Sequence, residues 1–231
     1  MRNKFIKGTA ALFLALSLSV SGVSVSNAKT DVETSLESYQ SQNSEVYAII
    51  TIPGTKISYP IVQHATDNPV DGNWYYLRRG LNKKNNTAGC IMTAPTSAKD
   101  FSDRITVVYG HNMRNGTMFA DLHKYEKANF MNSNPYVYVY TQDKMYIYKI
   151  FAAYHDNDYL IDDYYDYFRT DAQFSNYIGN ALYLADKEGV LDKNTTINTA
   201  NKILTLSTCS WTQPDNRFLV QAVLYSEGSI D

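Results

Sequence analysis

Residues 136–154, YVYVYTQDKMYIYKIFAAY, decide the fold class. Two runs of alternating aromatic and β-branched residues are separated only by Gln142-Asp143-Lys144, the pattern of two antiparallel strands joined by a short turn. The alternation predicts a hairpin with its tyrosines on one face. Similar short runs lie on both sides: VYAIITI (46–52), ISYPIVQ (57–63), GCIMT (89–93) and ITVVYG (105–110) upstream, ILTLST (203–208) and RFLVQAVLY (217–225) downstream. Eight such runs predict a mainly β body, either barrel or sandwich. The 20 tyrosines, against 9 Phe and 2 Trp, agree with this, because a tyrosine on a half-exposed strand packs its ring and keeps its hydroxyl in water.

One segment breaks the period of two. Thr170 and Gln173 have the spacing of a capping box, and Phe174, Tyr177, Ile178, Ala181, Leu182 and Ala185 then fall on one helical face. With Gly189 at its end, a helix is predicted over 171–188. A shorter helix is predicted from Met118 to Lys127. The chain shows no internal repeat, no metal-type Cys/His spacing and no phosphate-cradling glycine loop.

A chain of 231 residues, 44% hydrophobic and 19% charged, is sized for one domain with a core of its own. Its 21 basic residues include Arg2, Lys4 and Lys7 in a stretch without acids, so the rest sets 18 basic against 23 acidic residues. That balance, with no Lys/Arg block, argues against a nucleic-acid partner. Residues 1–28 carry a basic start (MRNKFIKG), an apolar run from Thr9 to Val25 and a small-residue site at Ser26-Asn27-Ala28. This is the layout of an export signal, either cleaved or kept as an N-terminal membrane anchor. Residues 29–45 are polar and read as a spacer or a helix laid on the body, which itself spans 46–231. An exported chain with two cysteines could close one disulfide. Cys90 lies in apolar AGCIM, however, while Cys209 ends a strand among Ser and Thr, so two free thiols with different roles are expected.

The chemistry concentrates in TLSTCSW (205–211), an apolar strand that turns polar just before Cys209. Arg217 opens the next strand. If the two strands are neighbours, Cys209 and Arg217 face one site, where a thiolate nucleophile and a permanent cation for the oxyanion are the two requirements of acyl transfer at cysteine. The third is a histidine. His111 follows the strand ITVVY and Gly110, where a strand end projects it into a cleft, whereas His64, His123 and His155 sit among polar residues and read as surface positions. Cys90 reads as a small buried hydrophobe. Taken singly, Cys209, Arg217 and His111 are each of a type more often structural than catalytic; taken together, residue type and spacing weigh the two roles about evenly.

YGHNM, TLSTC and an arginine shortly downstream, in an exported chain whose body begins IPGTKISYPIVQ, resemble the sortases, and most closely those of class B. The tract NWYYL (73–77), the segment GTMFADL after the histidine and the long helix before the cysteine strand are also similar to class B. The likeness covers about residues 46–225. It implies an eight-stranded sortase-type β-barrel with an N-terminal helix and one long helix inserted before the catalytic cysteine strand. Residue by residue it implies Cys209 as nucleophile, His111 as general acid/base and Arg217 as the oxyanion or substrate-positioning cation. Contacts to the sorting signal would come from Asn73, Leu77, Tyr109, Ser207 and Thr208. Many class B members carry an Asp soon after the cysteine; here Ser210-Trp211-Thr212 follows, and the first acid is Asp215.

A sortase is a cysteine transpeptidase. The implied partners are secreted proteins bearing an LPxTG- or NPxTN-like sorting signal, and an amine acceptor that is either a peptidoglycan precursor or a pilin lysine. The chemistry requires no cofactor or metal. Its place would be the extracellular face of the cytoplasmic membrane, with membrane contact through the N-terminal segment if that segment is uncleaved. Two other readings stay open: a hydrolytic cysteine (thiol) protease, which uses the same groups and ends with water, and a non-catalytic extracellular binding barrel. His111 precedes Cys209 in the chain, which is opposite to the papain-like order.

Overall fold

The computed structural model describes residues 35–67, 74–157, 168, 170–209 and 216–229. The proposed signal (1–28) and the first part of the spacer lie outside these residues. Nine strands form one sheet: β1 (Val46–Thr51), β2 (Ser58–Val62), β3 (Ile91–Met92), β4 (Ile105–Tyr109), β5 (Tyr136–Tyr140), β6 (Lys144–Asn157), β7 (Val190–Leu191), β8 (Ile203–Cys209) and β9 (Asn216–Ser229). In the order β5-β1-β2-β3-β4-β8-β9-β6, with β6 pairing back to β5, eight of them close a barrel, and the two-residue β7 hangs on β6 outside the ring. Each of the eight runs read from the sequence supplies one barrel strand, and closure leaves the ring no exposed edge. Two of the pairings, β2 with β3 and β4 with β8, are parallel.

The 136–154 hairpin forms as expected but divides its tyrosines. Tyr140 pairs with Met145, so even-numbered residues of β5 share a face with odd-numbered residues of β6. Tyr136, Tyr138 and Tyr140 therefore pack with Met145 and Ile147 on the outside. Tyr146 and Tyr148 point inward, beside Val139 and Val137, into the barrel core. Their hydroxyls do not stay in water: Tyr146 is buried and donates to the Asp100 carbonyl at 2.8 Å. Burial also pushes the Tyr148 hydroxyl far up. Four residues separate the paired Tyr140 and Met145, an even number that sets even positions opposite odd ones, and parity rather than composition chooses the face.

The barrel wall has a core on each side. Ile50, Ile61, Val108, Phe119, Val139, Leu206 and Val220 belong to the interior. A second cluster, including Leu36, Val107, Phe151, Ile203 and Leu219, lies on the outer face, under helices α1 (35–42) and α3 (Asp171–Glu188). α3 starts at the expected box, with Thr170 Oγ1 accepting from Gln173 N–H at 3.2 Å and Gln173 Oε1 accepting from Thr170 N–H at 3.0 Å. It buries Phe174, Ile178, Ala181 and Ala185. Beneath it, Gln221 on β9 donates to Tyr177 Oη at 2.6 Å and Tyr154 Oη at 3.1 Å, and accepts from Thr205 on β8 at 2.8 Å. This buried and mutually satisfied network fixes α3 over the two strands that carry Cys209 and Arg217. Gly189 ends α3 at φ −135°, outside the left-handed region. Glycine is needed there because a side chain would collide with the Ala153 carbonyl and Tyr154.

The helix expected over Met118–Lys127 is a 3₁₀ segment, Ala120–Glu126, followed by a short α-helix, α2 (Ala128–Ser133). Met118 at φ +56° and extended Lys127 (φ −115°, ψ 119°) bound the 3₁₀ stretch. Phe119 just before it and Leu122 and Tyr125 within it are fully buried and recur every three positions, which is the 3₁₀ period.

Candidate active site

Cys209 and Arg217 are directly opposite each other in the β8–β9 ladder. Opposite residues of an antiparallel pair share a face, and Arg217 Nη1 donates to Cys209 Sγ at 3.4 Å. On its other side, across the β6–β9 ladder, Arg217 faces Asp156, whose carboxyl is raised by burial against the pull of the Asn157 N–H. The parallel β4–β8 pairing ends at Tyr109 beside Ser207. It is prolonged by Gly110 N–H to the Ser207 carbonyl at 3.1 Å and by Thr208 Oγ1 to the Gly110 carbonyl at 2.8 Å. The chain therefore leaves β4 at His111 alongside the end of the cysteine strand. Gly110 is the only residue that fits before it: a Cβ would lie 2.5 Å from Ile91 Cδ1 and 2.7 Å from the Phe119 ring.

His111 is held from across the groove. Its Nε2 lies 2.7 Å from the Leu77 carbonyl oxygen. A carbonyl only accepts, so the proton sits on Nε2 and Nδ1 is left to exchange one. Leu77 belongs to a 3₁₀ turn, Tyr75–Arg78, anchored from below by Tyr76. The Tyr76 hydroxyl donates to Glu45 Oε2 and accepts from Asn43 Nδ2 at 2.6 Å, and its carbonyl accepts from the Cys90 N–H at 3.0 Å. His64 and Lys83 also pair with Glu45, at 2.8 and 3.2 Å. Burial opposes charge on that carboxylate, but the bonds from Tyr76, His64 and Lys83 outweigh it and hold Glu45 below its ordinary value. A partly exposed, charge-assisted cluster thus sets the height of the turn that positions the histidine.

These groups line one groove enclosing about 110 Å³. His111, Cys209 and Arg217 share it with Leu77, Tyr109, Ser207 and Thr208, so the structure brings together seven of the eight residues singled out from the sequence. Asn73, the eighth, lies outside the described residues. Tyr109, Ser207 and Thr208 are almost fully buried, and the Thr208 hydroxyl is committed to Gly110. Trp74, Cys90 and Met92 complete an apolar lining that sequence reasoning did not assign, with Trp74 packed on Tyr109 at 5.0 Å between ring centroids.

Both cysteines are free. Cys90 is buried, its thiol donates to the Arg79 carbonyl at 3.3 Å, and burial pushes it up to about 12. It therefore stays a protonated thiol at neutral pH, although it shares the groove with Cys209. Iodoacetamide at pH 7 is expected to modify Cys209 and spare Cys90 in the folded protein, read by mass spectrometry of the tryptic peptides. Equal labelling of both would show that Cys90 is not held as described.

Two polar residues near Cys209 went unassigned in the sequence, and one of them corrects an expectation. His123 is no surface residue: its side chain is 8% exposed, and its Nε2 lies 3.0 Å from the Cys209 carbonyl oxygen. Asn112 Nδ2 donates to the same carbonyl at 2.9 Å. His64 and His155 are half-buried and lie 2.8 and 3.4 Å from carboxylate oxygens of Glu45 and Glu126, so neither is a plain surface position. The three-residue spacing of His123 and Glu126 on a 3₁₀ turn signals their pairing, but the burial of His123 depends on Phe218 and Cys209, far along the chain, and has no local signal.

A family model described as a sortase domain matches residues 50–225. Sortase B of Listeria monocytogenes is 30% identical over 204 residues, covering 87% of this chain and 78% of that protein. Sortase B of Staphylococcus aureus is 24% identical over 197 residues, covering 83% and 75%. Among solved structures, sortase B of Clostridium perfringens superimposes with a TM-score of 0.69 at 28% identity, over 82% of this chain and 99% of that one. The closed barrel, the groove at the end of β8 and these likenesses agree: the chain belongs to the sortase family and, within it, is a class B sortase, a transpeptidase.

Proposed function

We propose that Cys209 is the nucleophile, His111 the general acid/base and Arg217 the oxyanion-stabilising cation in the cleavage and transfer of an LPxTG- or NPxTN-like sorting signal. The observation that carries this reading is the direct pairing of Cys209 with Arg217, at 3.4 Å, in a groove that also holds His111. The Cys209 thiolate attacks the threonine carbonyl carbon, and the negative charge that develops on its oxygen falls beside the guanidinium. As the peptide bond breaks, the imidazolium of His111 gives its Nδ1 proton to the leaving amine, and a thioester remains on Cys209. A neutral amine then attacks the thioester, His111 takes up its proton, and the thiolate departs as the new amide forms. Leu77, Tyr109, Ser207 and Thr208 supply the walls against which the signal lies, and Asn73 joins them in this proposal.

The acceptor amine is assigned to a peptidoglycan precursor, which gives wall anchoring of secreted proteins. Residues 1–28 act as export signal or membrane anchor and 46–231 as the catalytic domain, at the outer face of the cytoplasmic membrane. Among the described residues no helix is long and apolar enough to cross a membrane; the apolar run Thr9–Val25 lies outside them.

The test incubates residues 29–231 with LPxTG- and NPxTN-type peptides, with and without triglycine or a lysine amide, and follows products by mass spectrometry. An amide joined to the added amine is expected, at the expense of the free acid. Free acid alone, unchanged by any amine, would replace the transpeptidase with a hydrolytic thiol protease.

A further inference from the structure

We propose that Asn112 and His123 are positioning residues that lock the main chain of Cys209 to the segment carrying His111, a reading that rests on the acyl-transfer function above. β8 ends at Cys209, and the β4–β8 ladder stops two residues earlier, at Ser207. Gly110 and Thr208 extend it by one step each, and the side chain of Asn112 then takes the place of the next rung, donating from Nδ2 to the Cys209 carbonyl at 2.9 Å. Asn112 is the residue after His111. Its own backbone is fixed by a bridge to Met118, and the His111 carbonyl accepts from the Phe119 N–H at 2.9 Å. One amide, from a residue 97 positions before Cys209 in the chain, thus ties the acid/base and the nucleophile together.

His123 keeps that amide in place. It stacks on Phe218 at 4.7 Å with an interplanar angle of 20°, its Nδ1 lies 2.7 Å from Glu126 Oε1, and its Nε2 is 3.0 Å from both Asn112 Nδ2 and the Cys209 carbonyl. The carboxylate accepts, so Nδ1 carries a proton. In the imidazolium, Nε2–H donates directly to the Cys209 carbonyl, beside the bond from Asn112. In the neutral ring, Nε2 accepts an N–H of Asn112 but sets its lone pair 3.0 Å from the carbonyl oxygen, so the carbonyl keeps only its bond from Asn112 and the charged ring makes the tighter lock. The orientation of Asn112 follows from the same carbonyl, because a flipped amide would set two acceptor oxygens against each other at 2.9 Å. Its Oδ1 is buried without a hydrogen-bond partner among the described residues, a cost accepted for the placement of Nδ2.

Displacement of reacting groups by about 1 Å can cost on the order of 100-fold, so partial loosening of this lock should cost roughly tenfold. His123→Phe keeps the stack on Phe218 and deletes both ring nitrogens; His123→Gln returns an amide at the position of Nε2; Asn112→Asp keeps size and turns the donor into an acceptor. The chain of residues 29–231, as wild type and as each variant, is assayed for acyl transfer from an LPxTG- or NPxTN-type peptide to triglycine, with melting and Cys209 alkylation by iodoacetamide in parallel. His123→Phe and Asn112→Asp are expected to lower kcat about tenfold with KM and alkylation within about twofold, and His123→Gln to recover most of kcat. A His123→Phe protein with wild-type kcat overturns the proposal. So does an equal loss in His123→Phe and His123→Gln that tracks their melting temperatures, since that is a packing role. Should His123→Phe fail to fold, Asn112→Asp decides by the same split, an unchanged kcat overturning the proposal. A wild-type chain that transfers no acyl group overturns the transpeptidase reading as well, whereas an active wild type with insensitive variants overturns this inference alone.

Discussion

The Cys209→Ala protein is expected to form no acyl-enzyme and no amide product, with transfer falling to the uncatalysed background. The reason is covalent: the other thiol of the groove cannot substitute. Cys90 is buried, bonded to the Arg79 carbonyl and raised to about 12, so at neutral pH it offers almost no thiolate. Removal of a nucleophile from a Cys/His/Arg constellation typically costs many orders of magnitude, because the residual rate comes from binding and the oxyanion cation alone. Folding should be nearly unaffected. Cys209 is the last, half-buried residue of β8, so truncation of its thiol leaves the Leu204 and Leu206 packing inside the barrel untouched. A melting curve within a few degrees of wild type, together with persistent transfer, would remove Cys209 from the mechanism.

Arg217→Lys is expected to lower kcat/KM by about 100-fold, carried mainly in kcat, which is the scale of losing one oxyanion donor. The charge survives the substitution, but the fork does not. In the ladder Arg217 lies between Cys209 on one side and Asp156 on the other, and a planar guanidinium can direct one N–H at sulfur while others remain for a developing oxyanion. A lysine ammonium is a point donor on a flexible stem and cannot serve two places at once. Kinetics with the cognate peptide separate the outcomes. A fall in kcat with little change in KM supports a transition-state role, whereas unchanged kinetics would make Arg217 a structural residue of the ladder.

Much of this was legible in the sequence because it depends on local periodicity. Eight alternating runs became the eight barrel strands, and the Thr170/Gln173 box with its apolar face became α3 at the expected residues. The β1–β5 and β6–β9 pairings that complete the ring, and the parallel β4–β8 pair that seats His111 beside Cys209, join segments far apart in sequence, and period alone does not name such partners. What period did not reveal was the side each element presents. The tyrosines of 136–148 split between the two faces because the register couples even with odd positions. His123 read as polar surface because Asp121, Lys124 and Glu126 surround it, yet a 3₁₀ turn aims it at Phe218, 95 residues downstream, and at the Cys209 carbonyl. Cys90 and Trp74 entered the groove through the Tyr75–Arg78 turn, whose height depends on Glu45.

The central claim is that the peptide passes through a thioester on Cys209, and one measurement addresses it directly. The protein is mixed with excess cognate peptide and no added amine, quenched in acid, digested, and the tryptic fragment that contains Cys209 is weighed. A mass increase equal to the acyl portion of the peptide is expected on that fragment alone, discharged within one further turnover when triglycine is added before the quench. An acyl group on any other fragment, or amide product forming while the Cys209 fragment never carries one, would contradict the account.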